Sequence, residues 1–362
     1  MLANRKTFKY LLLGPDDHKD LVAMAEAIDL VEQGYREATD DPLVNAPRRR
    51  IHSPDGVRTS NFPGAVHGLG VIGSMTRTET VTHPADGQVC PYRGHPVHVL
   101  NDSHTGHLLC VMLGEAVEKT IGFSSAMALR TAATSGVGFR YLARKDARSA
   151  GVFGAGGMSM HHLIAMKNER PIERVKVYSR KEENRRRFAA EASRRLGIDV
   201  TPVNSPEEAI KGVDIVLCAT NTNVPVFDGN LLEPGQHLTT IIGSNSALVK
   251  GGWLASPRRE IDDNAVRKAD VIVANWKESV IQEEQADLFE PIQKGIITID
   301  DIHDLGELPA GRFAGRTSDE QITLHKNNNG TGVADLAIAM HIYNQAKALR
   351  RGSWIEVPEA GE

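Results

Sequence analysis

What most constrains this chain is one stretch, residues 149–166 (SAGVFGAGGMSMHHLIAM). A short apolar run meets a glycine turn, and beyond the turn Ser159, Leu163 and Met166 recur at the spacing of one helical face. In a strand-turn-helix unit each small residue has a physical reason. Gly154 permits a tight turn, Gly156 leaves bare backbone that a pyrophosphate can approach, and Ser159 is small where helix meets strand. The N-terminus of such a helix offers unpaired N–H groups and the positive end of its dipole, so an anion belongs there. By itself the motif is weak, because a tight turn with no ligand is spelled the same way.

Context strengthens it. Residues 174–178 (RVKVY), 213–219 (VDIVLCA), 237–242 (HLTTII) and 271–274 (VIVA) are short β-branched runs of the kind buried on both faces of a parallel sheet. Helical segments lie between them. This alternation predicts an α/β fold with a Rossmann-type nucleotide-binding domain over residues 126–312. Residues 1–125 and 313–362, the two chain ends, are then expected to form an α+β domain together.

Other classes are excluded on simple grounds. A formal net charge of −4 gives no basic surface for nucleic acid. Three cysteines, Cys90, Cys110 and Cys218, make no disulfide framework, and Cys218 reads as an apolar filler in a core strand. No Cys/His cluster has zinc spacing, so no metal is expected. The N-terminal apolar run, residues 10–13, is too short for a secretory signal and no stretch is long enough to span a membrane, so a cytoplasmic location is expected.

Residues 20–37 have apolar positions at helical spacing. Arg48, Arg49 and Arg50 enter a strand in which alternation puts Arg48 and Arg50 on one face. They are either a solvated basic edge or a carboxylate clamp, for which a guanidinium fork is suited. Residues 68–81 read as a strand, residues 86–95 as an irregular loop, and residues 97–100 and 107–112 as a hairpin around the turn 101–106. His83, His95, His98, His104 and His107 read as loop and strand-edge histidines. Residues 123–142 predict a long helix carrying Arg130, which either snorkels to solvent or points at an anionic substrate. After the second nucleotide-domain strand come Ser179, Arg180 and Lys181. An acid there would bind the ribose 2′-hydroxyl of NAD, whereas cations accommodate a 2′-phosphate, so NADP(H) is expected in preference to NAD(H). The bland alternative is that Arg180 and Lys181 merely start a solvated helix. Residues 205–208 (SPEE) spell a helix start. Residues 220–225 and 243–245 follow strands at carboxyl ends, where loops line a ligand crevice. Near the end, residues 322–326 read as a strand, 327–332 as a turn and 333–348 as a helix.

These residues together resemble the ornithine cyclodeaminase and mu-crystallin family over nearly the whole chain. The resemblance rests on Arg130-Thr131-Ala132-Ala133, Gly154-Ala155-Gly156 with His162, residues 214–220 (DIVLCAT) with Pro225, Gly243-Ser244 with Arg259-Glu260-Ile261-Asp262, Gly315-Arg316-Thr317-Ser318, and the surroundings of Gly330 and Asp335. It implies a homodimer, a dimerisation and substrate domain built from both chain ends, a Rossmann domain binding NAD(H) or NADP(H), and an active site between the domains. The family's shared chemistry is hydride exchange between nicotinamide and the α-carbon of a small amino or imino acid. Carried over by motif, Arg130 and one of Arg48 or Arg50 would hold a carboxylate. Thr131, Gly154, Gly156, Gly157, Met158, Ser159, Ser179, Arg180, Lys181, Ala219, Thr220, Ser244 and Gly330 would line the cofactor.

Two departures bear on chemistry. Where the family has a lysine this chain has Met75, or Ile72 in another register, with Arg77 as a partial replacement. Where cyclodeaminases have an aspartate after Gly-Ser it has Asn245, and an amide is no general base near neutral pH. An imine reductase or amino-acid dehydrogenase is therefore the leading expectation, since hydride transfer depends more on positioning than on a strong base. An ornithine or lysine cyclodeaminase using NAD catalytically, and a crystallin-like protein that holds NADPH and a small ligand, are the alternatives.

Overall fold

The computed structural model describes residues 7–81, 92–117, 119, 128–327 and 332–358. The chain divides into two compact units, one of residues 1–81, 90–127 and 330–362, the other of residues 82–89 and 128–329.

The first unit is built on a mixed sheet of β1 (Thr7–Leu13), β2 (Arg49–His52), β3 (Val57–Val66), β4 (Val71–Thr80), β5 (Tyr92–Arg93), β6 (Val97–Asp102), β7 (Leu108–Leu113) and a C-terminal strand, Ser353–Pro358. Their order is C-terminal strand, β1, β7, β6, β4, β3, β2, with β5 on β4. The β1–β7 pair is parallel and the others are antiparallel. Helix Gly332–Ala348 lies against β3, β4 and β6 and against helix Met24–Asp40. Ala334, Leu336, Ala337 and Ile338 of the former are buried, which is why its sequence is so rich in small apolar residues.

Several local expectations shift. The helix expected from residue 20 begins at Met24, because Asp20 adopts φ 62° and the Glu26 carboxylate accepts the Ala23 N–H at 2.7 Å as a cap. The strand expected over 68–81 is a 3-10 turn, His67–Leu69, then β4. Strands β1, β3 and the C-terminal strand carry too little apolar alternation to be read in advance. Pro63 within β3 argues against a strand in sequence, yet it lies beyond Asn61, the last residue paired with β2, where its missing N–H is no loss. His98 is buried on β6 rather than at a loop edge. Most of the loop expected over 86–95, and the start of the helix expected from 123, fall outside the described residues.

The second unit carries a wholly parallel sheet of β8 (Ser149–Phe153), β9 (Arg174–Tyr178), β10 (Asp199–Pro202), β11 (Ile215–Cys218), β12 (His237–Thr240), β13 (Val271–Ala274), β14 (Ile302–Asp304) and β15 (Thr323–Lys326). The order is β10-β9-β8-β11-β12-β15-β13-β14. The central strands are buried on both faces, with Val216, Leu238, Ile272 and Leu324 in one core. Here the domain boundary differs from expectation. Residues 313–329 do not return to the first unit, because β15 inserts between β12 and β13 and hydrogen-bonds to both.

Two motifs from the resemblance have structural work in this unit. Asp214 holds the start of β8, accepting the N–H groups of Arg148 and Ser149 at 2.9 Å each and the Ser149 hydroxyl at 2.7 Å. Helix Ala128–Leu142 ends against two guanidinium groups. Arg170 donates to the carbonyls of Arg140, Ala143 and Arg144, and Arg316 donates to Leu142, Gln321 and Gln236. Cations suit a helix C-terminus, whose last carbonyls lack partners. Truncation of Arg316 to alanine removes its hydrogen bonds to three carbonyls, of which those of Leu142 and Gln236 keep Thr323 as a donor, and is expected to cost about 1–3 kcal/mol. Urea unfolding would read this as a lower midpoint with an unchanged slope, and Arg316→Lys should recover little, since an ammonium cannot reach the same set of acceptors. Among the described residues no helix is long and apolar enough to cross a membrane.

Candidate functional site

The glycine turn follows β8. Gly154 has φ 111°, and a Cβ built on it would lie 2.2 Å from the Ala219 carbonyl oxygen at the end of β11. Both the backbone angle and the close approach therefore require glycine. The Ser159 hydroxyl donates to the Gly154 carbonyl at 2.9 Å, which explains a small hydroxyl residue at this place. Gly156 is extended at φ −121°, so strain does not explain it. A Cβ there would meet nothing within 4 Å, so the glycine leaves bare backbone facing open space. Gly156 is also the N-cap of helix Gly157–Glu169 and supplies no side-chain cap, leaving the first-turn donors of Gly157 and Met158 without one. That is a fitting cradle for a pyrophosphate.

Around this turn the parallel sheet gathers the expected cofactor residues of the second unit. Ser179, Arg180 and Lys181 follow β9, Ala219 and Thr220 follow β11, and Ser244 and Asn245 follow β12, all at carboxyl ends of strands. Arg180 and Lys181 are exposed, and Lys181 caps helix Glu182–Leu196. The Ser179 carbonyl accepts Arg185 Nη1 at 3.2 Å, and Arg185 Nη2 reaches Asn204 Oδ1 at 2.8 Å, so a buried guanidinium shapes the turn before the two exposed cations. Ser244 is buried; its hydroxyl accepts the Ala286 N–H at 2.5 Å. Asn245 sits at φ 54°, in the left-handed region that asparagine tolerates better than most residues, and starts helix Ser246–Lys250. Gly330 lies outside the described residues.

Thr131 and Arg130 lie on helix Ala128–Leu142 of the same unit. The Thr131 carbonyl accepts Asn327 Nδ2 at 2.6 Å. Arg130 is 6 % exposed, so it does not snorkel to solvent.

In the first unit, one face of the sheet carries the other candidates. Register places Arg50 opposite Ser60 and Ser60 opposite Arg77, so the three form a row across β2, β3 and β4. Arg50 Nε donates to Ser60 Oγ at 3.3 Å. Arg48 and Arg50 are half-buried and Arg49 is exposed, as alternation requires. Met75 is buried on this face, whereas Ile72 is 45 % exposed on the other, so Met75 is the residue in register with the arginines. Arg77 is less available than its sequence position implies: Nε donates to the Gly94 carbonyl at 3.0 Å and Nη2 to the Glu115 carboxylate at 2.5 Å. The same face holds a buried Arg58–Glu79 ion pair that the sequence does not announce.

What the sequence conceals most is a buried polar cluster behind the loops that follow β11 and β12. Glu260 accepts the Thr220 N–H at 2.6 Å and hydroxyl at 2.8 Å with one oxygen, and the N–H groups of Ile241 and Ile242 at 2.9 and 3.0 Å with the other. Asp287 accepts the Glu260 N–H at 2.8 Å and pairs with Lys326, whose ammonium also donates to the Ile242 carbonyl at 2.8 Å. All three side chains are at most 1 % exposed. The one signal for Glu260 was its place in the motif at residues 259–262, quoted there without a role.

Comparisons with known proteins agree with this geometry. The chain is 28% identical to a Delta(1)-pyrroline-2-carboxylate reductase of Bacillus cereus, over 96% of this chain and 99% of that one. The structure of the Thermococcus litoralis Delta(1)-pyrroline-2-carboxylate reductase in complex with NADH and L-proline is 29% identical, with a TM-score of 0.79 over 95% of this chain and 99% of that chain. An archaeal alanine dehydrogenase dimer with bound NAD is 25% identical, with a TM-score of 0.77 over 96% of this chain and 99% of that chain. The model of the ornithine cyclodeaminase/mu-crystallin family matches residues 16–350. A match of that extent, on a chain whose glycine turn and carboxyl-end loops have the form described above, makes this chain a member of the ornithine cyclodeaminase/mu-crystallin family.

Proposed function

We propose that the protein is a nicotinamide-dependent oxidoreductase that reduces the C=N bond of a small imino acid, or oxidises the corresponding amino acid. The observation that carries this reading is the glycine turn, in which Gly154 packs on Ala219 and Gly156 leaves bare backbone facing open space, at the head of a helix with no side-chain cap. Pyrroline-2-carboxylate reductase and alanine dehydrogenase relatives, matched along almost their full length, support it. When bound, the nicotinamide supplies or accepts the hydride. Gly154, Gly156, Gly157, Met158 and Ser159 hold the pyrophosphate end, and Thr131, Ala219, Thr220, Ser244 and Gly330 the remainder. Arg130 binds the substrate carboxylate, assisted by Arg48 or Arg50. With Arg77 largely engaged by Glu115 and Gly94, its part is to shape the substrate face rather than to replace a lysine. Asn245 orients water or substrate nitrogen without acting as a base, which favours hydride transfer over deamination. Homodimeric assembly belongs to the same reading, supported by the alanine dehydrogenase dimer, together with a cytoplasmic location.

The preference for NADP(H) rests on Arg180 and Lys181, exposed at the end of β9 where no acid stands. The relatives' structures carry NADH or NAD, so support for NADP(H) comes from this chain's own residues alone. The test is loss of nicotinamide absorbance with NADPH, and separately NADH, against a panel of cyclic ketimines and of 2-oxo acids mixed with amines. NADPH should be consumed faster. Arg180→Ala with Lys181→Ala is expected to weaken NADPH about tenfold while sparing NADH. Equal use of both cofactors by the unaltered protein would remove the 2′-phosphate role, and consumption of neither would overturn the reductase reading.

A further inference from the structure

We propose that Glu260 is a positioning residue for dinucleotide binding, whose ionised carboxylate ties the loop after β11 to the loop after β12. The proposal rests on the reading above that Thr220 and Ser244 line the cofactor. Glu260 touches neither reacting atoms nor solvent. Its two oxygens accept four donors from two separate loops: Thr220 N–H and hydroxyl on one side, Ile241 and Ile242 N–H on the other. Only a carboxylate can accept from four donors at once, because protonation converts one oxygen from acceptor to donor and sets it against an N–H.

The loops so tied are short and irregular, and each begins where its strand ends, at Cys218 and at Thr240. The N–H groups of Thr220, Ile241 and Ile242 go to Glu260 rather than to a neighbouring strand, so the carboxylate stands in for the missing ladder. Two charged groups and one buried, neutral thiol face it. Asp287 comes from helix Ala286–Gln293, Lys326 from β15, and Cys218 from β11. Lys326 pairs with Asp287 and also holds the Ile242 carbonyl, so the cation offsets the charge of both acids while gripping the same loop. Burial, and next the Asp287 carboxylate, push Glu260 up to about 7, against the pull of Lys326 and the Thr220 donors. The loops' tie therefore titrates near neutrality, and cofactor affinity should weaken as pH falls through that range.

The experiment measures the dissociation constants of NADPH and NADH by nicotinamide fluorescence between about pH 5.5 and 8.5, with thermal unfolding of each cofactor-free protein alongside. The unaltered protein should bind more weakly below about pH 7. Glu260→Gln, which keeps the shape but presents an amide N–H₂ to two N–H donors, should bind at least tenfold more weakly at pH 8 and lose the pH dependence. At saturating cofactor its kcat should stay near that of the unaltered enzyme, so that the effect falls on cofactor KM. Thr220→Val removes one of the four donors to the carboxylate and should move the midpoint of the pH profile upward, a shift that loss of a direct contact between Thr220 and the dinucleotide would not produce; it decides the matter if Glu260→Gln does not fold. Unchanged affinity and pH profile in Glu260→Gln, or an unchanged pH profile in a folded Thr220→Val, overturns the positioning role. Failure of the unaltered protein to bind either dinucleotide overturns the cofactor reading instead, so the two failures are distinguishable.

Discussion

Gly154→Ala is expected to abolish detectable NADPH and NADH binding and to destabilise the protein by about 3 kcal/mol or more. Two effects act together at this position. An L-residue at φ 111° is strained, and its Cβ would stand 2.2 Å from a backbone carbonyl that belongs to the next strand of the sheet. A backbone oxygen cannot swing aside as a flexible side-chain end can, so β8 and β11 must part or the turn must open. Either movement displaces the helix N-terminus proposed to hold the pyrophosphate and the Ser159–Gly154 hydrogen bond that fixes the turn. Fluorescence titration together with chemical denaturation checks both halves of the expectation. A well-folded variant that still binds dinucleotide would show that the turn does not form the cofactor cradle.

Arg130→Ala is expected to lower kcat/KM for the imino or amino acid substrate by about 2–5 kcal/mol in transition-state binding, roughly thirty-fold to several thousand-fold. The side chain is 6 % exposed on a helix whose residues from Ala128 to Phe139 are all buried, so its charge is committed to the interior. Arg130→Lys should recover only part of the loss, because an ammonium cannot make the bidentate contact of a guanidinium with a carboxylate. Dinucleotide dissociation constants should remain unchanged in both variants, which separates this defect from that at Gly154. Normal steady-state kinetics in Arg130→Ala would remove the residue from substrate binding.

How far the sequence reveals this molecule depends on the kind of strand. The runs at β9, β11, β12 and β13 are short and β-branched, as strands buried on both faces are, and such runs are legible. Strand β3 is not, since its buried face carries Arg58 and Ser60 beside Phe62, polar residues whose burial is permitted only by partners elsewhere in the sheet. The strand at β15 was legible as a strand but not as a neighbour of β12, because nothing in its sequence states where it inserts. Its last residue, Lys326, would read as exposed, yet it is buried with Asp287 and the Ile242 carbonyl as partners. Glu260 escaped for the same reason: a buried acid is recognisable only by the backbone donors that converge on it, and Thr220, Ile241 and Ile242 are distant from it in the chain. Among the site residues, Met75 was left in two registers by the sequence, and pairing of β3 with β4 decides between them.

The insertion of β15 between β12 and β13 has a consequence for how the chain is made. During synthesis the first six strands of the parallel sheet emerge with β12 and β13 unable to join, since the strand that bridges them is encoded after β14. The other sheet waits longer still: β1 leaves the ribosome first and meets its antiparallel partner, Ser353–Pro358, only when nearly all the rest has followed. Both sheets thus close late and through contacts of high sequence separation, which makes folding slow and leaves unpaired strand edges exposed on the nascent chain. Closure is accordingly expected in two steps, as residue 326 and then residue 358 clear the exit tunnel, which arrest-peptide force profiles along the chain would register.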